Sequence, residues 1–165
     1  RKSYGFMTWK DYDAALFRSV RFEAEKREKR SPVKIYASDI SAEATRITRL
    51  NIAAANLNET VDISEGDFMT KPAPAEEGVL ILNPPYGKRL GGEEMDKFYG
   101  EIGSALKHHY NGYRAWILSG DPNSLKSIAL KPFRKYDLLN GDIECKFNGY
   151  ELYQGSRKSI IAHTH

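Results

Sequence analysis

The chain contains one cysteine, Cys145, in 165 residues. A lone cysteine excludes an intramolecular disulfide framework and fits a reducing compartment. Long apolar runs are missing as well. Nothing approaches the ~20 residues that cross a bilayer, and the N-terminus carries no hydrophobic segment of the signal-peptide kind. A cytoplasmic protein with no membrane partner is expected. Neither sign of charge is in large excess: the formal net charge is +3 at pH 7, compatible with a polyanionic partner and no proof of one. Internal repeats and low-complexity tracts are absent. So is any Gly-x-Gly after a strand-like run; Gly91-Gly92, Gly120 and Gly141 sit in other turns.

What the sequence does have is strand–helix alternation. A chain of this length forms one domain at most, 1–165, with enough residues for a real core. Residues 1–30 read as a helical lead-in. Leu16 and Val20, with Tyr12 and Phe17, suit one helical face before the solvated charge run "EAEKREKR". Ser31-Pro32 breaks this helix. "VKIYASDI" (33–40) reads as a strand. Ser41 then caps a helix with Ala44, Ile47, Leu50 or Asn51, Ala54 and Leu57 at helical spacing.

A second short strand follows at 60–68. "VLILN" (79–83) lacks polar alternation, so a central strand covered on both faces is expected. After Gly91-Gly92 the steps of three and four through Met95, Phe98, Tyr99, Ile102, Ala105, Leu106 and His109 give the clearest helix. "YRAWILSG" (113–120) is a strand, and Asp121-Pro122 opens a short helix. From Phe133 to Tyr153, two strand-like runs flank Asn140-Gly141, a hairpin signal. The fold class is therefore α/β: a mostly parallel sheet with three helices after residue 40 and an antiparallel C-terminal hairpin.

In such sheets ligands sit beyond the carboxyl ends of the strands. Three polar residues stand there: Asp39, Asp67 and Asn83. Asp39 can accept two hydrogen bonds from a ribose diol, or serve as a turn or N-cap acid. Asp67 can face an adenine amine with Phe68 on the ring, or be a turn residue beside a core phenylalanine. "LILNPPYGKRL" (80–90) is more specific. Pro84 and Pro85 fix two φ angles and remove two N–H donors, and Asn83 is held extended by the proline after it. The Asn83 side-chain oxygen and the Pro84 carbonyl can then converge on one NH₂ group. Tyr86 offers a face for a planar base or amide. No strong general base is present, which suits an amine meeting a very electrophilic partner. A rigid turn with a buried tyrosine is the alternative.

"NPPYGKRL" after an apolar strand resembles motif IV of the S-adenosylmethionine-dependent amino-methyltransferases, Asn/Asp/Ser-Pro-Pro-aromatic. In its extended form the chain resembles the bacterial 23S ribosomal RNA guanine-N2-methyltransferases associated with a THUMP domain. "IYASDISAEATRITRLNIAAANL", "ISEGDF", "FYGEIGSALK", "YRAWILSGDP" and "NGDIECKF" agree in order, so the likeness spans nearly the whole chain. It implies a Rossmann-like class I sheet and a role for each matching residue. Asp39 would hold the ribose of S-adenosyl-L-methionine with Ile40 beside the adenine. Asp67 would meet the adenine amine with Phe68 adjacent. Asn83, Pro84, Pro85 and Tyr86 would hold a guanine for methyl transfer to its N2, with Asn83 also near the cofactor. That base must leave its stack to enter such a pocket. Lys88 and Arg89 are placed for flanking phosphates; "KPFRK" (131–135) and "SRK" (156–158) add to them or are solvated surface.

One departure stands out. The family's first strand and glycine-rich cofactor loop have no counterpart here, and neither has the THUMP domain. The resemblance implies a partial catalytic domain, with that strand expected between the ones ending at Asp39 and Asn83. Partners would be 23S ribosomal RNA and a THUMP domain in the full-length chain. Competing readings are a DNA adenine-N6 or protein-glutamine N5 methyltransferase, which share "NPPY", and a non-catalytic RNA-binding module with a degenerate fold. A dehydrogenase is disfavoured, because it needs no Pro-Pro after an apolar strand.

Overall fold

The computed structural model describes residues 3–85 and 92–153. A short 3-10 turn, Gly5–Thr8, precedes α1, Ala14–Lys26. Asp13 caps α1: its Oδ1 accepts the N–H groups of Ala15 at 2.8 Å and Leu16 at 3.0 Å. Tyr4, Phe6, Tyr12 and Phe17 cluster at this end, with ring centroids of Phe6 and Phe17 5.4 Å apart. The expected apolar face is helical but uncovered. Leu16 and Val20 are 61% and 59% exposed, and α1 buries no residue.

β1 (Ile35–Asp39) and β2 (Val61–Glu65) pair in parallel, with α2 (Ala42–Ala54) as their crossover. Ser41 Oγ accepts the Ala44 N–H at 3.2 Å, as its cap position requires. The α2 face is shifted from expectation. Thr45 and Ile52 are buried, whereas Ile47 and Leu50 remain exposed. Threonine suits this buried face because its hydroxyl bonds a carbonyl one turn back, here Ala42 O at 2.9 Å. The helix ends with Asn56 in the left-handed region (φ 56°), a common residue for that position.

The larger sheet has four strands: β3 (Gly78–Leu82), β4 (Tyr113–Ser119), β5 (Arg134–Asn140) and β6 (Ile143–Glu151). Their spatial order is β3-β4-β6-β5, with β3 and β4 parallel and the other pairs antiparallel. β1 and β3 are not paired, so the strand ending at Asp39 and the strand leading to Asn83 lie in separate sheets. The hairpin loop is Gly141-Asp142 rather than Asn140-Gly141, because Asn140 pairs with Ile143. Of those two loop residues only Gly141 has positive φ (62°), which fits a type II′ turn with glycine first.

α3 (Gly92–His109) and the short α4 (Ser124–Ser127) cover one face of this sheet. Met95, Tyr99, Ile102 and Leu106 of α3 pack with Leu125, Ile128, Ala115, Ile117 and Tyr150 in the core. His109 is exposed and Tyr110 takes the buried place after it. Gly103 lets α3 and α4 touch: a Cβ there would stand 2.1 Å from the Ile128 carbonyl oxygen. β3 departs from its expected place. It is an edge strand covered on one face, with Leu80 and Leu82 against the core and Val79 and Ile81 65% and 69% exposed. Among the described residues no helix is long and apolar enough to cross a membrane.

Candidate functional site

The two prolines after β3 decide the local geometry. Neither can donate to a ladder, so pairing with β4 stops at Leu82 and the chain leaves the sheet. Asn83 is exposed at that exit. Its carboxamide has no hydrogen-bond partner among the described residues. The last pair of the ladder is Leu82–Ile117, so Asn83 is the first residue beyond it. Tyr86, Lys88, Arg89 and the stretch 156–158 lie outside the described residues.

The ends of β1 and β2 form a second ledge. Asp39 Oδ1 accepts the Ser41 N–H at 2.8 Å, which fixes the turn into α2. Its Oδ2 has no partner among the described residues and faces outward from an exposed position. Ile40, next in the chain, is 70% exposed, a high value for an isoleucine at a strand end. The Gly66 N–H donates to the Asp39 carbonyl at 3.0 Å and ties the following loop to the same ledge.

β2 stops at Glu65, three residues earlier than the sequence pattern implied, so Asp67 sits in that loop. Asp67 Oδ1 accepts the Met69 N–H at 2.9 Å, which closes a local turn. Phe68 stacks on Tyr110 with centroids 5.2 Å apart and packs against the core. One of its faces is thereby committed to structure. Glu65 was not singled out from sequence, yet the register places it beside Asp39. Only the parallel partner position reveals it.

Sequence reasoning also passed over Tyr99 and Ser119 as anything but periodic positions. Both are wholly buried, and their hydroxyls lie 2.7 Å apart at the carboxyl end of β4. Asp121 was expected to cap the short helix, and it does so from two residues ahead of the helix N-cap. Its Oδ1 accepts the Asn123 and Ser124 N–H groups at 3.0 and 3.3 Å, and its Oδ2 accepts the Ser124 hydroxyl at 2.8 Å. These bonds hold the Asp121 carboxyl below its ordinary range, the Ser124 hydroxyl most of all. A hollow of about 440 Å³ lies along the C-terminal half of α3, lined by Glu101, Ser104 and His108 together with Met69 from the loop that carries Asp67.

An apolar strand leading into Asn-Pro-Pro, together with a parallel strand pair whose first strand ends in Asp39, is the combination that a family comparison can decide. Residues 3–148 match the family model described as RMKL-like, methyltransferase domain. The chain belongs to that family. It is 33% identical over 163 residues to the ribosomal RNA large subunit methyltransferase K/L of Shewanella baltica (strain OS155), covering 96% of this chain. The Shewanella frigidimarina protein of the same name is 32% identical over 166 residues, covering 98% of this chain. This chain spans 23% of the length of each of these relatives.

Solved structures agree. SMU.472, solved in complex with SAH, matches with a TM-score of 0.75 at 25% identity over 93% of this chain and 41% of that one. A Clostridium difficile 630 protein titled a possible methylase matches with a TM-score of 0.74 at 26% identity, over 95% of this chain and 42% of its own. The RMKL-like chain thus has the Rossmann-like methyltransferase architecture, with strands antiparallel at its C-terminal edge.

Proposed function

We propose that this RMKL-like domain forms part of an S-adenosyl-L-methionine-dependent enzyme that methylates the N2 amine of a guanine in 23S ribosomal RNA. The single observation that carries it is Asn83: an exposed carboxamide with no partner among the described residues, held on a Pro-Pro joint at a strand's carboxyl end. The family match and the large-subunit methyltransferase names of its relatives support the reaction and the substrate class. The SAH bound to SMU.472 supports the cofactor.

The residues present fit that cofactor. Asp39 has an unused carboxylate oxygen suited to a ribose hydroxyl, and the exposed Ile40 suits an adenine edge. Asp67 retains Oδ2 for the adenine amine, with Phe68 beside it. When bound, the cofactor supplies an electrophilic methyl group on a sulfonium. The chain's own residues do the positioning. Asn83 Oδ1 and the Pro84 carbonyl accept the two N–H bonds of the base amine, which aims its lone pair and stabilises the charge that develops on nitrogen. Pro85 keeps those acceptors in place, and Tyr86 stacks on the flipped base. Lys88 and Arg89 meet the flanking phosphates. A THUMP domain elsewhere in the full-length protein would help to hold the RNA, and a cytoplasmic location fits this substrate.

The test uses the full-length protein in single-turnover methylation of 23S ribosomal RNA. Asn83→Ala should lower the rate on the order of 10²–10³ while cofactor affinity holds. Tyr86→Ala should weaken RNA capture by about 1–3 kcal/mol. Asp39→Ala should weaken cofactor binding by about 1.5–3 kcal/mol in calorimetry. Folded Asn83→Ala and Tyr86→Ala proteins with wild-type rates would overturn the catalytic assignment.

A further inference from the structure

Ser119 ends β4 and Tyr99 lies two turns into α3; both are 0% exposed. Their hydroxyls meet at 2.7 Å. Ser119 Oγ also accepts the Asp121 N–H at 3.0 Å and reaches the Asp121 carbonyl at 3.4 Å. With Tyr99 as donor, the serine proton is left for that carbonyl. Asp121 then fixes the start of α4 through Asn123 and Ser124. A continuous polar thread therefore joins α3, the end of β4 and the start of α4. A second tie, Ser127 Oγ to Asp96 Oδ1 at 3.1 Å, runs parallel to it on the surface.

Stability alone does not call for this thread. Two hydroxyls in a core contribute little net energy once desolvation is counted, and an apolar pair of the same shape can be nearly neutral. What a buried hydroxyl pair does supply is one fixed geometry. Its place in the fold shows what is being fixed. β3 pairs with β4 as far as Leu82–Ile117, one residue before Asn83 and two before Ser119, so β4 supports the strand that leads to Asn83. α3, which carries Tyr99, packs on a face of the same sheet. The Tyr99–Ser119 bond ties these two elements together.

We infer that the Tyr99–Ser119 pair is a positioning device for methyl transfer: it fixes α3 against the carboxyl end of β4, the strand paired with the one that leads to Asn83. Tyr99 and Ser119 are positioning residues, acting through Asn83 and Asp121 without touching the base. The inference rests on the catalytic reading given above for Asn83.

The experiment is a double-mutant cycle in the full-length protein with Tyr99→Phe, Ser119→Ala and the double variant. Single-turnover methylation of 23S ribosomal RNA, cofactor affinity by calorimetry and thermal melts are measured together. Each single variant should lose between about 10- and 100-fold in rate, the scale of a misplaced reacting group, with cofactor affinity unchanged within about twofold. The double variant should lose clearly less than the product of the two single losses, because both remove the bond between them. Losses that multiply in the double variant, or that track melting temperature alone, would overturn the pairing. So would folded Tyr99→Phe protein with a wild-type rate, and this isosteric change keeps the test decisive should Ser119→Ala fold poorly. A wild-type protein that methylates no RNA overturns the catalytic reading itself, whereas active wild type with equally active variants overturns the positioning role only.

Discussion

A carboxylate in a turn can serve two masters, because its two oxygens point different ways. Asp39 Oδ1 accepts the Ser41 N–H and Asp67 Oδ1 accepts the Met69 N–H, and neither Oδ2 has a partner among the described residues. The sequence left turn acid and ligand acid as rivals; the structure shows the turn role of both, and the ligand role proposed above uses the second oxygen. Asp121 differs, since both its oxygens are engaged within the fold. Its folded-state pKa is lowered, chiefly by the Ser124 hydroxyl; burial opposes this, and the Ser124 and Asn123 amides add to the lowering. The stability it supplies is therefore present above the unfolded value of about 3.9 and is lost as pH falls through the lower folded value. Asp121→Asn should melt below wild type at pH 6, and the gap should close as pH falls below about 4. Melts between pH 2 and 7 would show it; a gap that persists at the acid end would assign the effect to shape instead of charge.

At the scale of elements, α3, β4 and the hairpin were legible because period and punctuation agreed there. The turn was misplaced by one residue, since Asn-Gly and Gly-Asp both make tight turns and only the pairing of Asn140 with Ile143 selects between them. The α2 face was misjudged for a different reason. Apolar count favoured Ile47 and Leu50, but Thr45 can bury its hydroxyl at no cost by bonding Ala42 O. Packing between α3 and α4 was not legible at all, because a glycine inside a helix does not announce what lies against it. Gly103→Ala should cost about 1–3 kcal/mol, because its Cβ would fall 2.1 Å from the Ile128 carbonyl oxygen. Gly100→Ala, one turn earlier, meets only Ser127 O at 3.6 Å. It should stabilise α3 by up to about 1 kcal/mol through helix propensity. Urea unfolding of the two variants separates a close approach from a generic glycine effect; equal shifts would refute the α3–α4 contact.

The whole molecule shows where its apolar surface is left open. Leu16 and Val20 on α1, Ile47 and Leu50 on α2, and Val79 and Ile81 on β3 are all more than 40% exposed. The sequence marked β3 as a central strand covered on both faces; the structure corrects this to an edge strand with one face open, because apolar composition alone does not tell which neighbours a strand has. This chain spans 23% of the length of the Shewanella baltica relative. A doubly apolar edge strand exposed to water is a site of association. Residues 1–165 expressed alone should therefore bind anilinonaphthalene sulfonate and self-associate at micromolar concentration. Ile81→Lys should reduce both, because it places a charge at the centre of the open face without touching Leu80 or Leu82 in the core. In the full-length protein the same substitution should instead lower the melting temperature, as a lysine forced against covering chain requires. Fluorescence titration and sedimentation on the short chain, with melts on the long one, make the comparison. Ile81→Lys without effect on either protein would mean that this face is neither sticky when open nor covered when the chain is whole.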